Sequence, residues 1–244
     1  MATLQVRRAA GALLILIPIV FTVCFTLLQT LFEYPDILRQ PTAEVLTKFQ
    51  AGGPSLVAVW YVLTLTAILF IPISLLVHRV LADREASSLL WIATTFGVVA
   101  GVAQTLGFLR WPFLVPSLAQ AYLAPGASAA QQAATAAVFD AFNRYAGMAV
   151  GEHLGYLSTS VWTFLIAARM LRVPLFGRWI GIAGMALAIG VATGLLEPAG
   201  VAWAGAVNAT SYLAWAVWLM VVGVVLLIRK TGVVTATRPA AAVV

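Results

Sequence analysis

The sequence predicts an all-α protein, a polytopic transmembrane bundle of about six spanning helices in one domain. Three observations predict it. Of the 244 residues, 62% are hydrophobic and only 9% charged, with a mean hydropathy of +1.00. A soluble domain carries roughly 25% charged residues, and no soluble core of this size hides that much apolar surface. The apolar residues also come in runs of about 20, the length that crosses a ~30 Å hydrocarbon core. Finally, the basic residues gather in small groups at the ends of those runs, where they orient helices.

That distribution also disposes of the formal net charge of +6 as a nucleic-acid signal, because no basic stripe runs along a polar face. The single cysteine, Cys24, lies inside an apolar run. It excludes an intrachain disulfide and any C-x-x-C motif, and reads as a small buried hydrophobe.

The first span covers 9–32, behind Arg7 and Arg8. It is longer than a signal-peptide h-region and no A-x-A-like site follows it. The polar stretch 33–54 is broken by Pro35 and Pro41 and ended by Gly52-Gly53-Pro54. Within it, Thr42–Gln50 reads as a short helix capped by Thr42, with Val45, Leu46 and Phe49 on its apolar side, lying on the membrane surface. The second span, 55–80, contains Pro72, which a membrane helix tolerates, and closes on His78 and Arg79 as interfacial residues. A brief polar loop around 82–88 makes the next helix its antiparallel neighbour.

The third span, 89–109, carries the close-packing pair Gly97 and Gly101, with Gln104 as its one strongly polar interior residue. Arg110 and Trp111 follow as an interfacial anchor, the cation reaching up to the headgroups. After the Pro125-Gly126 turn, Ser128 reads as the N-cap of a helix rich in Ala and Gln. Run unbroken to Leu171 it would be about 65 Å long at 1.5 Å per residue. A bend near Gly147 or Gly151 is therefore expected, dividing an outer amphipathic collar, Ser128–Tyr145, from a fourth span, 148–171. Gly147, Gly151 and Gly155 give this helix one very small packing face. Spans five (179–196, ending in Glu197-Pro198) and six (207–228) complete the bundle, and 231–244 reads as a disordered tail. The basic residues place both termini, and Arg79, Arg84, Arg169, Arg172 and Arg178, on the cytoplasmic side.

This topology brings Arg110, Glu152, His153, Glu197 and Asn208 into one layer near the outer boundary. A charged side chain in a bilayer costs on the order of 2.5–3.5 kcal/mol, so these residues are expected to turn inward and pair. Arg110 with Glu152 or Glu197 is the expected ion pair. On the fourth span Tyr145, Glu152, Tyr156, Thr159 and Thr163 share a face, and His153 points about 100° away. A filled, structural polar layer is one reading. In the others the layer is a ligand site made by Arg110, Trp111, Tyr145, Tyr156, Glu197 and Asn208, or an acid–base pair made by Glu152 and His153.

Several chemistries are excluded. His78 and His153 lie on opposite sides, so neither multi-histidine zinc nor bis-histidine haem is available, and no metal or cofactor is expected. There is no G-x-S-x-G, P-loop or dinucleotide fingerprint. Tryptophans at span ends (Trp111, Trp179, Trp203) are explained by an interfacial belt.

Tyr34-Pro35-Asp36-Ile37-Leu38, then the run from Leu109 through Pro116, then Arg144-Tyr145-Ala146-Gly147 and the run from Gly151 through Tyr156 form a pattern along nearly the whole chain. It resembles a bacterial multi-pass membrane family known only as domain of unknown function 4386. The resemblance implies a bacterial cytoplasmic (inner) membrane location and transfers no activity. Two functions are carried forward. The first is a non-enzymatic binder of a small or lipid-like ligand, or of a partner, through the outer polar layer. The second is a membrane-embedded enzyme on an isoprenoid- or lipid-like substrate, with Glu152 and His153 as acid–base residues. The bilayer is the one partner expected in either case, nucleic acid is not, and homo-oligomerisation stays open.

Overall fold

The computed structural model describes residues 3–82 and 88–229. The expected polar loop around 82–88 falls largely outside the described residues, and the tail 231–244 entirely so. Every regular element among the described residues is helical. They are α1 (Leu4–Phe32), α2 (Thr42–Leu81), α3 (Ser88–Phe113), α4 (Val115–Tyr122), α5 (Ala129–Phe142), α6 (Gly155–Met170), α7 (Arg178–Ala192) and α8 (Ala204–Ile228). A π-helix, Asn143–Leu154, joins α5 to α6, and short 3-10 turns occupy Asp36–Arg39 and Thr193–Ala199.

Five helical stretches are long and apolar enough to cross a membrane: Leu4–Phe32, Thr42–Leu81, Ser88–Tyr122, Arg178–Ala199 and Ala204–Ile228. The expected span 148–171 is not among them. Its α-helical part, α6, has 16 residues, about 24 Å of rise, and the π-helix before it carries Arg144, Glu152 and His153.

The long helices close into a ring, each packed on the next in the order α1, α2, α3, α6, α7, α8 and back to α1. Inside the ring Phe70, Trp162, Trp215 and Trp218 form the middle of the core. Outside it, large apolar side chains stay uncovered, among them Leu16 at 55%, Val217 at 55% and Ile189 at 62% exposure. An apolar surface of this extent is what lipid covers.

Basic side chains tie one end of the ring together. Arg7 donates to the carbonyls of Leu226 and Arg229, Arg229 to Leu175 O at 3.0 Å, and Arg169 to Leu81 O at 3.3 Å. At this end His78 is tied inward, its Nδ1 2.7 Å from Thr94 Oγ1 and its ring against Trp91.

The opposite end is built differently from the expectation. Gly53, with φ of 56°, kinks α2 into arms 42–52 and 54–81, a left-handed conformation that suits glycine. The short arm does not spread its apolar face on lipid. Val45, Leu46 and Phe49 are at most 2% exposed and pack onto the protein itself. Thr42 is the first residue of the arm rather than its cap, and its hydroxyl meets Asp140 Oδ1 at 2.6 Å. Lys48 pairs with Glu33. Beneath this roof Trp60 and Trp111 stack at 4.7 Å, with Phe32, Phe49 and Phe139 around them. Trp111, expected at the interface, is 0% exposed because α3 runs on to Phe113 and is covered by the α2 arm, α4 and α5. Trp179 and Trp203, at 60% and 55% exposure, keep the surface positions expected of a belt. Ser128 caps α5 as expected, accepting from Gln131 N at 3.2 Å.

Candidate functional site

The polar layer is organised by the crossing of α3 and the π-helix. Three residues of α3, Gln104, Gly107 and Arg110, face Gly155, Gly151 and Gly147 in turn. A Cβ on Gly107 would lie 2.7 Å from Gly151 Cα, so the two backbones touch. A Cβ on Gly147 would meet the Arg110 guanidinium at 2.6 Å. The expected small face of this helix is thus used, as expected, for packing, and the break in α geometry falls over Gly147 and Gly151 as i→i+5 winding.

Arg110 is not a headgroup anchor. It is 8% exposed, donates from Nη1 to Gly107 O and from Nη2 to Asn143 Oδ1 at 3.1 Å, and lies 5.0 Å from the Trp111 ring. The expected ion pair with Glu152 or Glu197 does not form. Ion pairs among the described residues are Arg39–Asp36 and Lys48–Glu33. The notch at Gly147 draws the guanidinium toward neutral acceptors instead, although Arg110 and Glu152 still interact electrostatically. Tyr34, in the turn after α1, also interacts with Glu152 and Arg110. Burial pushes its phenol above the ordinary tyrosine range, so it faces them as a neutral group.

Next to this crossing the π-helix and the Thr193–Ala199 turn enclose a cleft of about 160 Å³. Its walls are Met148, Glu152, His153, Tyr156, Gly194, Glu197 and Pro198. Of the residues expected at a site, Glu152, His153, Tyr156 and Glu197 therefore come together. Glu152 and His153 were expected to point about 100° apart, the step of an α-helix. The i→i+5 winding places more residues in each turn, which narrows that step and lets both reach one cleft.

Tyr156 packs its ring against Gly194, where a Cβ would collide with it, and lies 5.6 Å from the Tyr212 ring. Glu197 lies against Gly205, whose missing Cβ leaves room for the carboxylate. Neither glutamate carboxylate is held by an ion pair or a hydrogen bond among the described residues. The cleft thus presents two carboxylates, an imidazole and a phenol from three elements, the π-helix, α6 and the Thr193–Ala199 turn.

The other expected residues are elsewhere. Asn208 is 4% exposed behind Gly194 and donates to Val191 O at 2.7 Å, closing α8 onto α7. Tyr145 is 71% exposed and does not line the cleft. Arg110 supports the π-helix from behind, and Trp111 is buried in the neighbouring aromatic cluster. Met148, Gly194 and Pro198 were not anticipated, though Met148 precedes Glu152 by four residues and so shares its side of a helix. Deeper in the ring Gln104 donates to Thr159 Oγ1 at 3.0 Å and Trp215 to Thr163 Oγ1 at 2.8 Å, so these two threonines of the polar face are consumed in packing. No group of three or more potential metal ligands occurs among the described residues.

No curated protein and no solved structure matches the chain. A family model does match, over residues 9–223, which include every helix that forms the cleft. The chain belongs to the family described as Domain of unknown function (DUF4386).

Proposed function

We propose that the protein is a non-enzymatic binder of a small or lipid-like ligand, held in the cleft between the π-helix and the Thr193–Ala199 turn. The observation that carries this reading is the pair of carboxylates, Glu152 and Glu197, facing one cleft with no ion pair or hydrogen bond among the described residues. Charged groups in or near a bilayer are costly unless something compensates them. Arg110, by contrast, is held by Gly107 O and Asn143 Oδ1. At about 160 Å³ the cleft is below the 300–1,000 Å³ of pockets for drug-sized molecules. It suits a headgroup-sized moiety.

In this reading the protein sits in the bacterial cytoplasmic membrane with both termini inside, and α6 is a sixth, short span. The support is the basic cluster of Arg7, Arg169 and Arg229 at the end of the ring opposite the cleft. The cleft then opens to the outer leaflet.

The test compares wild type with Glu152→Gln and His153→Ala in detergent, by thermal melting and by mass spectrometry of co-purified molecules. The expected result is near-unchanged melting, with a bound molecule carried by wild type and lost from both variants. Lower melting in both variants with nothing bound to wild type would make the layer scaffolding. Chemical conversion of the bound molecule by wild type alone would move the assignment to an enzyme.

A further inference from the structure

At the end of the ring opposite the cleft the arginines are of two kinds. Arg7, Arg169 and Arg229 reach across the helix ends to backbone carbonyls. Arg8 on α1, Arg79 on α2, Arg172 just past α6 and Arg178 at the start of α7 are exposed, and their side chains make no hydrogen bond or ion pair among the described residues. The charge at this end is one-sided. All six described carboxylates, Glu33, Asp36, Glu44, Asp140, Glu152 and Glu197, belong to segments at the other end. Directly after α2 and α8 the sequence continues with Asp83, Arg84 and Glu85 and with Lys230, whose charges cancel and which lie outside the described residues.

These exposed arginines stand on the lipid side of their helices. Leu75 lies one turn before Arg79 on α2, Ile182 one turn after Arg178 on α7, and Ile19 three turns after Arg8 on α1, and all three are exposed. In each case the arginine is at the helix end and the apolar residue nearer its middle. Each guanidinium therefore sits over a strip of side chains that lipid covers. Trp179, next to Arg178 and likewise exposed, marks the headgroup level.

We propose that this end of the ring is an interaction surface for anionic phospholipids, gathered by Arg8 and Arg79 at the α1–α2 seam and by Arg172 and Arg178 at the α6–α7 seam. Both seams join neighbouring helices, and α3 and α8 separate one seam from the other, so they lie on opposite sides of the ring. Position selects a lipid headgroup as the occupant, because these arginines border the bilayer, whereas the arginines that knit the helix ends already hold carbonyls. Charge selects the kind of lipid. A guanidinium grips any phosphate bidentately, but in a zwitterionic lipid the phosphate's charge is cancelled by its own ammonium. An anionic lipid brings an uncancelled charge to arginines that have no described carboxylate near them. The surface does not depend on what occupies the cleft.

The experiment reconstitutes the full chain in phosphatidylcholine liposomes and titrates in phosphatidylglycerol or phosphatidylcholine brominated near the headgroup. Trp203→Phe is the background, which leaves Trp91 and Trp179 as the strongly exposed tryptophans to be quenched, both at this end. On that background the four native arginines are compared with Arg8→Gln/Arg79→Gln/Arg172→Gln/Arg178→Gln, with the same four positions changed to Lys, and with Arg144→Gln, an exposed arginine at the other end. An arginine at a membrane surface is worth about fivefold in affinity for anionic lipid. With the native arginines, the expected preference for phosphatidylglycerol over phosphatidylcholine in quenching is about tenfold or more. It should vanish in the glutamine variant and persist in the lysine variant and in Arg144→Gln. Equal quenching by the two lipids with the native arginines, or a preference that the glutamine variant keeps, overturns the proposal. So does a loss caused equally by Arg144→Gln, which would make it an effect of overall charge. If the glutamine variant melts below the background protein in detergent, the lysine variant decides: a preference kept there supports the surface, and a preference lost overturns it.

Discussion

Replacing Gly107 by alanine tests whether the backbone contact between α3 and the π-helix holds the cleft in place. The added Cβ would lie 2.7 Å from Gly151 Cα and 3.2 Å from Ala146 O. Carbon atoms pack best at about 3.5–4.0 Å, so the two backbones must separate by roughly 1 Å. No side chain can swing aside, which puts the cost near the upper end of the overpacking range, about 3 kcal/mol. Alanine recovers about 1 kcal/mol of helix propensity over glycine. The net loss is about 2 kcal/mol, a fall in Tm of about 4–8 °C for a chain of this length. Gly155→Ala is the matched control one turn along. There the new Cβ meets Gln104 Cγ at 3.2 Å, the middle of a flexible side chain. Its cost is offset by propensity, leaving stability within about 1 kcal/mol of wild type. Melting followed by intrinsic fluorescence in detergent reads both. Equal Tm values for Gly107→Ala and wild type would refute the contact, and equal losses for the two variants would show that any Cβ on this face is harmful.

Other perturbations follow from the same packing. Arg110→Lys should lower Tm despite keeping the charge, because a lysine cannot reach Gly107 O and Asn143 Oδ1 together as the planar guanidinium does. An unchanged melting curve would place the guanidinium elsewhere. Trp111→Ala should cost about 3–5 kcal/mol, the range for emptying a buried aromatic site, and should quench the coupled near-UV circular dichroism of the Trp60–Trp111 stack. A surface anchor would lose far less. Thr42→Val removes an exposed bond to Asp140 and should change Tm by less than about 1 kcal/mol's worth, while hydrogen exchange in α5 accelerates. Unaltered exchange there would show that α5 is held by its apolar contacts alone.

The membrane character and most span positions were legible because a bilayer demands long apolar runs, and no other constraint on the chain is so strong. The glycine face at 147, 151 and 155 was legible for a similar reason, since close approach needs small residues whatever the partner. The partner was not. Nothing in the local sequence distinguishes an Arg-Trp pair at a span end that meets headgroups from one roofed by another helix. The roof over Trp111 comes from the arm 42–52, some sixty residues away, and Arg110 is taken up by Asn143 and the notch at Gly147. The π-helix was likewise hidden. Its winding is imposed where α3 presses Gly107 against Gly151 and Arg110 against Gly147, a tertiary contact rather than a local preference. With the helix read as α throughout, Glu152 and His153 diverge. With π winding they share a cleft. Asn208 shows the opposite error, a polar residue at the expected depth whose amide is used up by a neighbouring helix carbonyl.

The most direct test of the cleft as a binding site is an experimental structure of the protein extracted with its native lipids in polymer discs. Density between the Met148–Tyr156 side and the Gly194–Pro198 side, in contact with Glu152 and Glu197, is the predicted result. An empty, collapsed cleft, with Glu152 drawn into an ion pair with Arg110, would contradict it.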